Sequence, residues 1–342
     1  MTKSANGGEE EARGGVGLGC APLGNLYRPM PDHEARAIAD AAWDAGVRYF
    51  DTAPLYGFGL SERRIGDALR ARPRDSFTLS TKVGRVLEPD RSAGIAAARD
   101  GFASPMPFTP RYDYSYDGVM RSYEASLQRL GLARIDTVLV HDIGYATHGA
   151  DNDRHLSDLA SGGYRALDAL RAAGDIVEIG LGVNEWQACV AAMELGRFDC
   201  FLLAGRYTLL EQEALDRFFP ACAAHGASVI LGGIYNSGIL ATGTRQAGGA
   251  HYDYAPAPVE ILARTRRLER LCEAHGVDLA AAALQFALAP PIVRAVIPGI
   301  GEERQVRETF RHLSARIPAA FWQELKSLGL IAANAPVPAA AR

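Results

Sequence analysis

Eight short apolar runs, alternating with stretches of helical periodicity, constrain this chain more than any other feature. The candidate strands are 17–20, 48–51, 78–82, 137–141, 179–182, 201–204, 228–232 and 295–298. Each is bounded by polar, Gly or Pro residues. The helical segments between them are 32–46, 61–71, 117–131, 163–174, 186–196, 211–226, 258–276 and 279–289. Asp32 reads as an N-cap and Gly46 as a stop. Strands alternating with helices predict a parallel sheet. Eight such units in one series predict a closed (β/α)8 TIM barrel, an α/β fold, rather than an open doubly wound sheet. The dinucleotide signature of the open sheet also fails. Read from Gly17, the third glycine of G-x-G-x-x-G falls on Pro22, and read from Gly15 it falls on Cys20.

Composition narrows the partners. The 342 residues are 48% hydrophobic and 22% charged, enough to bury one large core. We expect a single domain over 14–331, with a flexible lead over 1–13 and an Ala/Pro-rich tail over 332–342. A net charge of −4 gives no reason to expect nucleic acid. No run of eighteen apolar residues exists, so no membrane span is expected. The five cysteines, at 20, 189, 200, 222 and 272, include no C-x2-C pair. They point away from bound metal and disulfides and toward a reducing compartment, the cytoplasm. The expected partner is a small-molecule substrate, and the expected assembly a monomer or small homo-oligomer.

Three connections are long: 84–115, 143–161 and 236–257, after the third, fourth and seventh candidate strands. Long loops in a compact domain are usually functional. All three leave the C-terminal ends of strands, where such barrels carry their active sites. Polar residues gather at the same end. The second strand closes with Asp51 and, five residues on, Tyr56; the third closes with Lys82 and the fourth with His141. Neighbouring strands lie about 4.8 Å apart, so these side chains share one mouth. A phenol is a poor base at neutral pH, and an ammonium beside it favours the phenolate. Lys82 can supply that charge, Asp51 its counter-ion, and His141 a hydrogen bond to a substrate oxygen. Such a set suits proton transfer beside hydride transfer to a nicotinamide. Singly, each has a structural reading: an ion pair for Lys82 and Asp51, a half-buried loop aromatic for Tyr56, a solvated loop start for His141. Their placement at successive strand ends favours the chemical one.

The strings FDTAPLYG, STKVG and VLVHD resemble the tetrad motifs of the aldo-keto reductases, in order, across about Gly17 to Leu330. The resemblance implies that Tyr56 is the acid/base, that Lys82 tunes it, that Asp51 pairs with Lys82 and that His141 orients the substrate. It also implies a nicotinamide cofactor. Asn184 matches one half of the Ser-Asn pair that holds the nicotinamide amide; Glu185 departs from that pattern. Ala204 stands where a Gln is usual, and Gly232 where an aromatic often stacks on the ring. Asn236, Ser237 and Gly238 resemble the loop that holds the pyrophosphate. Gly299 and Gln305 fall where NADPH-preferring members carry Lys and Arg, and Glu308 matches the adenine-binding Glu. Glu302 and Glu303 would repel a 2′-phosphate, with Arg304 as an opposing charge, so NAD is the expected cofactor and NADP the lesser one.

The strings APLGNLYRP, AGRYTLLEQ and YNSGIL resemble the sugar-dehydrogenase branch of that family, which also holds pyridoxal dehydrogenases. That implies oxidation of the C1 hydroxyl of an aldose to a lactone. His148, Asp151, Asn152 and Asp153 could read sugar hydroxyls or be solvated. The alternatives are an NADPH-dependent aldehyde or ketone reductase, a pyridoxal 4-dehydrogenase, and a non-enzymatic nicotinamide-binding relative. A short-chain dehydrogenase would need Y-x-x-x-K, and Tyr56 has Leu60 at that offset.

Overall fold

Every one of the eight apolar runs forms a strand of a single parallel sheet. The computed structural model describes residues 15–92, 94, 98–245 and 249–339. In chain order the strands are β1 (Gly15–Val16), β2 (Leu18–Gly19), β3 (Tyr49–Asp51), β4 (Thr78–Val83), β5 (Arg85–Pro89), β6 (Phe108–Tyr112), β7 (Thr137–His141), β8 (Glu178–Val183), β9 (Cys200–Ala204), β10 (Ser228–Gly232), β11 (His251–Tyr252), β12 (Ala255–Pro256) and β13 (Val293–Ile297). The α-helices are α1 (Asp32–Asp44), α2 (Leu60–Leu69), α3 (Tyr116–Leu130), α4 (Tyr145–His148), α5 (Asn152–Asp158), α6 (Tyr164–Ala173), α7 (Trp186–Met193), α8 (Phe218–His225), α9 (Ile239–Thr242), α10 (Val259–His275), α11 (Leu279–Leu288), α12 (Glu303–Ser314) and α13 (Ala319–Ser327).

The main sheet runs β1-β13-β10-β9-β8-β7-β4-β3-β2. β1 and β2 are one strand position broken at Gly17. The first half pairs with β13, Gly15 opposite Ala295, and the second with β3, Leu18 opposite Phe50. The Gly17 and Gly19 amides continue the seam by donating to the carbonyls of Val296 and Pro298 at 2.8 and 3.0 Å. The sheet thus closes on itself as a (β/α)8 TIM barrel and leaves no open edge.

Period-two alternation divides the core. Leu139, Cys200, Leu202, Ile230, Ala295 and Ile297 fill the barrel interior. Their strand neighbours, among them Phe50, Leu79, Val138, Ile179, Phe201 and Val229, face the helices in a larger outer core. Helices α3, α6, α8 and α10 stop at Gly131, Gly174, Gly226 and Gly276, each in the left-handed region that ends a helix readily. Contact between α2 and α3 depends on Gly66, where an added Cβ would sit 2.1 Å from the Leu130 carbonyl oxygen. Gly66→Ala should therefore cost about 2 kcal/mol of stability through overpacking. An unchanged denaturant midpoint for that variant would contradict this packing.

The long connections are more ordered than expected. The third contains an antiparallel hairpin, β5 with β6, and the seventh contains α9 and the hairpin β11–β12. The fourth is mostly helical, with α4, α5 and a π-helical turn at Leu159–Gly163. The helix expected over 211–226 begins only at Phe218, after a 3₁₀ turn at Glu213–Leu215. Pro220 explains the late start, since its ring and missing N–H fit only a first helical turn. Helices α12 and α13 follow the last strand and were not among the expected segments.

The expected lead over 1–13 lies outside the described residues. Residues 332–339, read as a tail, rest against the body. Ala335 is buried, and the Ala332 amide donates to the Gln212 side chain at 3.1 Å. Among the described residues no helix is long and apolar enough to cross a membrane. All five cysteines are buried and unpaired.

Candidate active site

The site grows from β3 and β4, whose ends point Asp51 and Lys82 into the barrel mouth. The two strands pair with Asp51 opposite Ser80. Lys82 Nζ donates to Asp51 Oδ2 at 2.7 Å, to the Thr52 carbonyl at 2.9 Å and to the Tyr56 hydroxyl at 3.1 Å. An ammonium has three donors, and all three are satisfied. The lysine is only 1% exposed. Its stem passes Gly182, where a Cβ would stand 3.0 Å from Lys82 Cε, so a larger residue there would press on the ammonium arm. The His141 ring stands edge-on to Tyr56, centroids 6.0 Å apart. Asp51, Tyr56, Lys82 and His141, from three neighbouring strand ends, thus meet at one point. Phe102 closes one side, its ring 6.1 Å from Tyr56.

The electrostatics separate the possible proton donors. Burial pushes the Tyr56 phenol above its ordinary pKa; Lys82 pulls the other way, and Asp51 adds to the rise. The expected lowering by Lys82 is thus present but outweighed, and Tyr56 is a protonated phenol at neutral pH. Burial alone would lower the Lys82 pKa, but Asp51 and Tyr56 together push it above the usual lysine value. His141 is held down to about 3, chiefly by burial, with Arg85 and Lys82 adding to the effect against Asp142. Its ring is neutral across the physiological range, which suits a hydrogen-bond donor and not an acid. One ring nitrogen, Nε2, lies 3.4 Å from Asp142 Oδ2. The other, Nδ1, is buried with no partner among the described residues.

Four more side chains bond to the residues of this group or to one another. Asp142 is paired with Arg85 from β5. Tyr114 donates to the His141 carbonyl at 2.7 Å, and its hydroxyl is 2.9 Å from His148 Nε2. The His148 ring lies against that of His155, centroids 4.2 Å apart and planes tilted by 44°, and burial first, then His155, lowers its pKa to about 4. The residues considered for sugar hydroxyls are therefore largely occupied. His148 is tied to Tyr114, Asp153 accepts the Tyr145 hydroxyl, and Asn152 is buried.

The residues expected to hold a cofactor fall in three places. Asn184, after β8, donates to the Ala204 carbonyl at 3.4 Å. After β10, Asn236, Ser237 and Gly238 take successive positive φ values of 44, 58 and 99°. Consecutive residues of this kind turn backbone N–H groups into a shallow concavity that suits an anion. Asn236 is pinned by Thr208 Oγ1 at 2.6 Å and by the Gly205 carbonyl at 3.2 Å. No atom comes within 4 Å of a Cβ built on Gly238, so the space above the loop is open. Gly299 bridges Gly19 at the barrel seam. Gln305 is engaged in a capping box, its Oε1 accepting from the Gly301 and Glu302 amides at 2.9 and 3.2 Å. Arg304 is held between Glu302 at 2.6 Å and Glu308 at 3.1 Å.

Several contributors escaped the sequence reading. Ser80 and Tyr49 lie one alternation below Lys82 and Asp51, and period two alone could have pointed to them. The β11–β12 hairpin is fixed over the mouth by Arg206–Asp253 at 3.0 Å and by the Tyr254 amide donating to Ser237 Oγ at 2.9 Å. Its docking partners are distant in sequence and leave no local pattern.

Comparison with known proteins agrees with this fold. Residues 15–329 match the aldo/keto reductase family. The chain is 44% identical over 324 residues to pyridoxal 4-dehydrogenase of Microbacterium luteolum, covering 92% of this chain and 94% of that protein. It is 39% identical over 320 residues to D-threo-aldose 1-dehydrogenase of a Pseudomonas species, with the same coverage of 92% and 94%. An aldo-keto reductase from Bacillus halodurans in its holo form superposes with a TM-score of 0.70 at 24% identity, over 92% of this chain and 91% of that one. The matched stretch includes every element that builds the mouth, and the chain belongs to the aldo/keto reductase family.

Proposed function

We propose that this oxidoreductase oxidises the C1 hydroxyl of an aldose to the lactone, with NAD as the preferred acceptor and Tyr56 as the proton-transfer residue. The observation that carries the reading is the Lys82 ammonium bonded at once to Asp51 and to the Tyr56 hydroxyl. Three features support a dinucleotide there: no atom within 4 Å of a Cβ on Gly238, a run of positive φ at 236–238 that turns backbone amides outward, and the Asn184 amide after β8. Asn184 would hold the nicotinamide end, Asn236, Ser237 and Gly238 the pyrophosphate, and Gly299, Gln305 and Glu308 the adenosine end. When bound, the nicotinamide supplies the two-electron acceptor.

The rest of the chemistry falls to side chains. His141, neutral and with an unpartnered ring nitrogen, orients the substrate oxygen. Tyr56 takes the hydroxyl proton as a phenolate, and Lys82 stabilises that phenolate through its bond at 3.1 Å. Because burial holds the phenol above its ordinary value, the base form grows only as pH rises. Oxidation should therefore accelerate through the alkaline range, while the reverse reduction, which needs the protonated phenol, should be fastest below it. A pH profile of kcat/KM in both directions checks this, and a flat oxidation profile would contradict it.

Cofactor preference rests on the Arg304 guanidinium, whose charge is taken up by Glu302 and Glu308. A 2′-phosphate there meets carboxylates rather than a free cation. We expect kcat/KM for NAD to exceed that for NADP by about tenfold or more, since one lost charge-assisted contact is worth roughly that factor. Glu302→Gln should narrow the gap, and equal values in the parent enzyme would overturn the preference.

Pyridoxal is the second reading, supported by the 44% identity to a pyridoxal 4-dehydrogenase. Aldoses and pyridoxal both close into cyclic hemiacetals whose carbinol carbon can be oxidised to a lactone. Initial rates of NADH formation with aldoses, pyridoxal and simple alcohols distinguish the two. Turnover of pyridoxal alone would replace the aldose assignment.

A further inference from the structure

Below the mouth a hydrogen-bonded arm continues from the tetrad into the barrel. The Asp51 carboxylate has two distinct oxygens: Oδ2 accepts from Lys82 at 2.7 Å, and Oδ1 accepts from Ser80 Oγ at 2.7 Å. The Tyr49 hydroxyl donates in turn to Ser80 Oγ at 3.0 Å. The Phe50 carbonyl also lies 3.4 Å from Ser80 Oγ, but the Asp51 carboxylate at 2.7 Å is the nearer and charged acceptor, so the serine hydrogen is directed at Asp51. Ser80 and Asp51 are buried, so no bulk water can replace these bonds.

We propose that Ser80 and Tyr49 are positioning residues that lock the Asp51 carboxylate onto Lys82 and so set the pH at which Tyr56 works. This rests on the reading of Tyr56 as the proton-transfer group. A hydroxyl donor on Oδ1 spreads and partly compensates the Asp51 charge. That charge disfavours the nearby phenolate, and Lys82 favours it. Removing the donor leaves a fuller negative charge in a dry pocket and makes the phenolate harder to form.

The other groups near Tyr56 do not supply the same control. His141 is neutral, and the Tyr254 phenol, like Asp51, disfavours the phenolate. Around the lower end of the arm, Arg294 is paired with Glu178, and Thr137 donates to Glu178 at 2.8 Å. The nearby Cys200 and Cys20 thiols are pushed well up by burial and stay uncharged. Asp51, held by Lys82 and Ser80, is therefore the adjustable charge.

The test compares the pH dependence of kcat/KM for oxidation in the parent, Ser80→Ala, Ser80→Thr and Tyr49→Phe, with thermal melting of each as a check on folding. Ser80→Ala should move the rising limb toward higher pH by roughly half a unit or more. At a fixed pH on that limb this is a loss of roughly threefold. Ser80→Thr keeps the hydroxyl and should restore the parent profile. Tyr49→Phe should shift the limb in the same direction by less, because Ser80 remains. A limb unmoved in both folded Ser80→Ala and folded Tyr49→Phe would overturn the proposal. If Ser80→Ala does not fold, Tyr49→Phe decides alone, since among the described residues the Tyr49 hydroxyl bonds only Ser80. Tyr56→Phe run alongside separates the two readings: its inactivity with a limb unmoved in both arm variants rejects the arm alone, while its full activity rejects the role of Tyr56.

Discussion

Tyr56→Phe should lower kcat for oxidation by about 10³-fold, within the range that positioned proton transfer contributes. The substitution removes one oxygen and keeps the ring, so packing against Phe102 and the edge-on contact with His141 are retained. The cost should fall on kcat rather than on nucleotide affinity, because the Asn184 and Asn236 side chains bond Ala204, Thr208 and Gly205 and lose none of these contacts with the phenol oxygen. Lys82 loses one of its three acceptors and keeps two, so the Asp51 pair survives. His141 cannot take over, since its pKa near 3 leaves it uncharged and with little appetite for a proton. Stopped-flow kinetics with NAD, together with a fluorescence titration of NADH, measures both quantities. Retention of more than a tenth of parental kcat would remove Tyr56 from the proton path.

The same residues show how far a sequence carries such an argument. Asp51, Lys82 and His141 were legible because each closes an apolar run that has to be a strand, and strand ends in a closed barrel face one mouth. Tyr56 was legible through its fixed offset from Asp51 and through family resemblance. Strand alternation also contained Ser80 and Tyr49, two residues upstream of Lys82 and Asp51, but a lone Ser and Tyr in an apolar run read as filler until hydrogen bonds join them. The β11–β12 hairpin was not legible in the same way. Its anchors, Arg206 to Asp253 and Tyr252 to Glu211, pair residues more than forty positions apart, with no periodicity to join them. Local turn chemistry was equally silent: Asp253 and Tyr254 both occupy the left-handed region without glycine, held there by those distant contacts. The sign of the Tyr56 shift was also beyond the sequence, because it depends on how deeply the hydroxyl is buried relative to its distance from one ammonium. Desolvation wins here, which reverses the simple expectation that a neighbouring lysine makes a tyrosine more acidic.

Lys82→Met separates the structural from the chemical work of that ammonium. Methionine has similar length and can follow the channel beside Gly182, but it cannot bond Asp51, Thr52 or Tyr56. Asp51 would then be a buried carboxylate without its cation, and breaking a buried pair in this way costs about 3–5 kcal/mol. Activity should fall by about 10³-fold as well, because the group that favours the phenolate is gone and burial acts unopposed. The double variant Lys82→Met with Asp51→Asn divides these losses. Neutralising Asp51 removes the unpaired charge, and its amide can still accept from Ser80, so most of the stability should return. Catalysis should not return, since neither change restores a cation 3.1 Å from the Tyr56 oxygen. Chemical denaturation and single-turnover kinetics on the two variants read the two quantities separately. If the double variant regains activity along with stability, Lys82 serves only to neutralise Asp51; if it regains stability alone, the ammonium acts on the phenol.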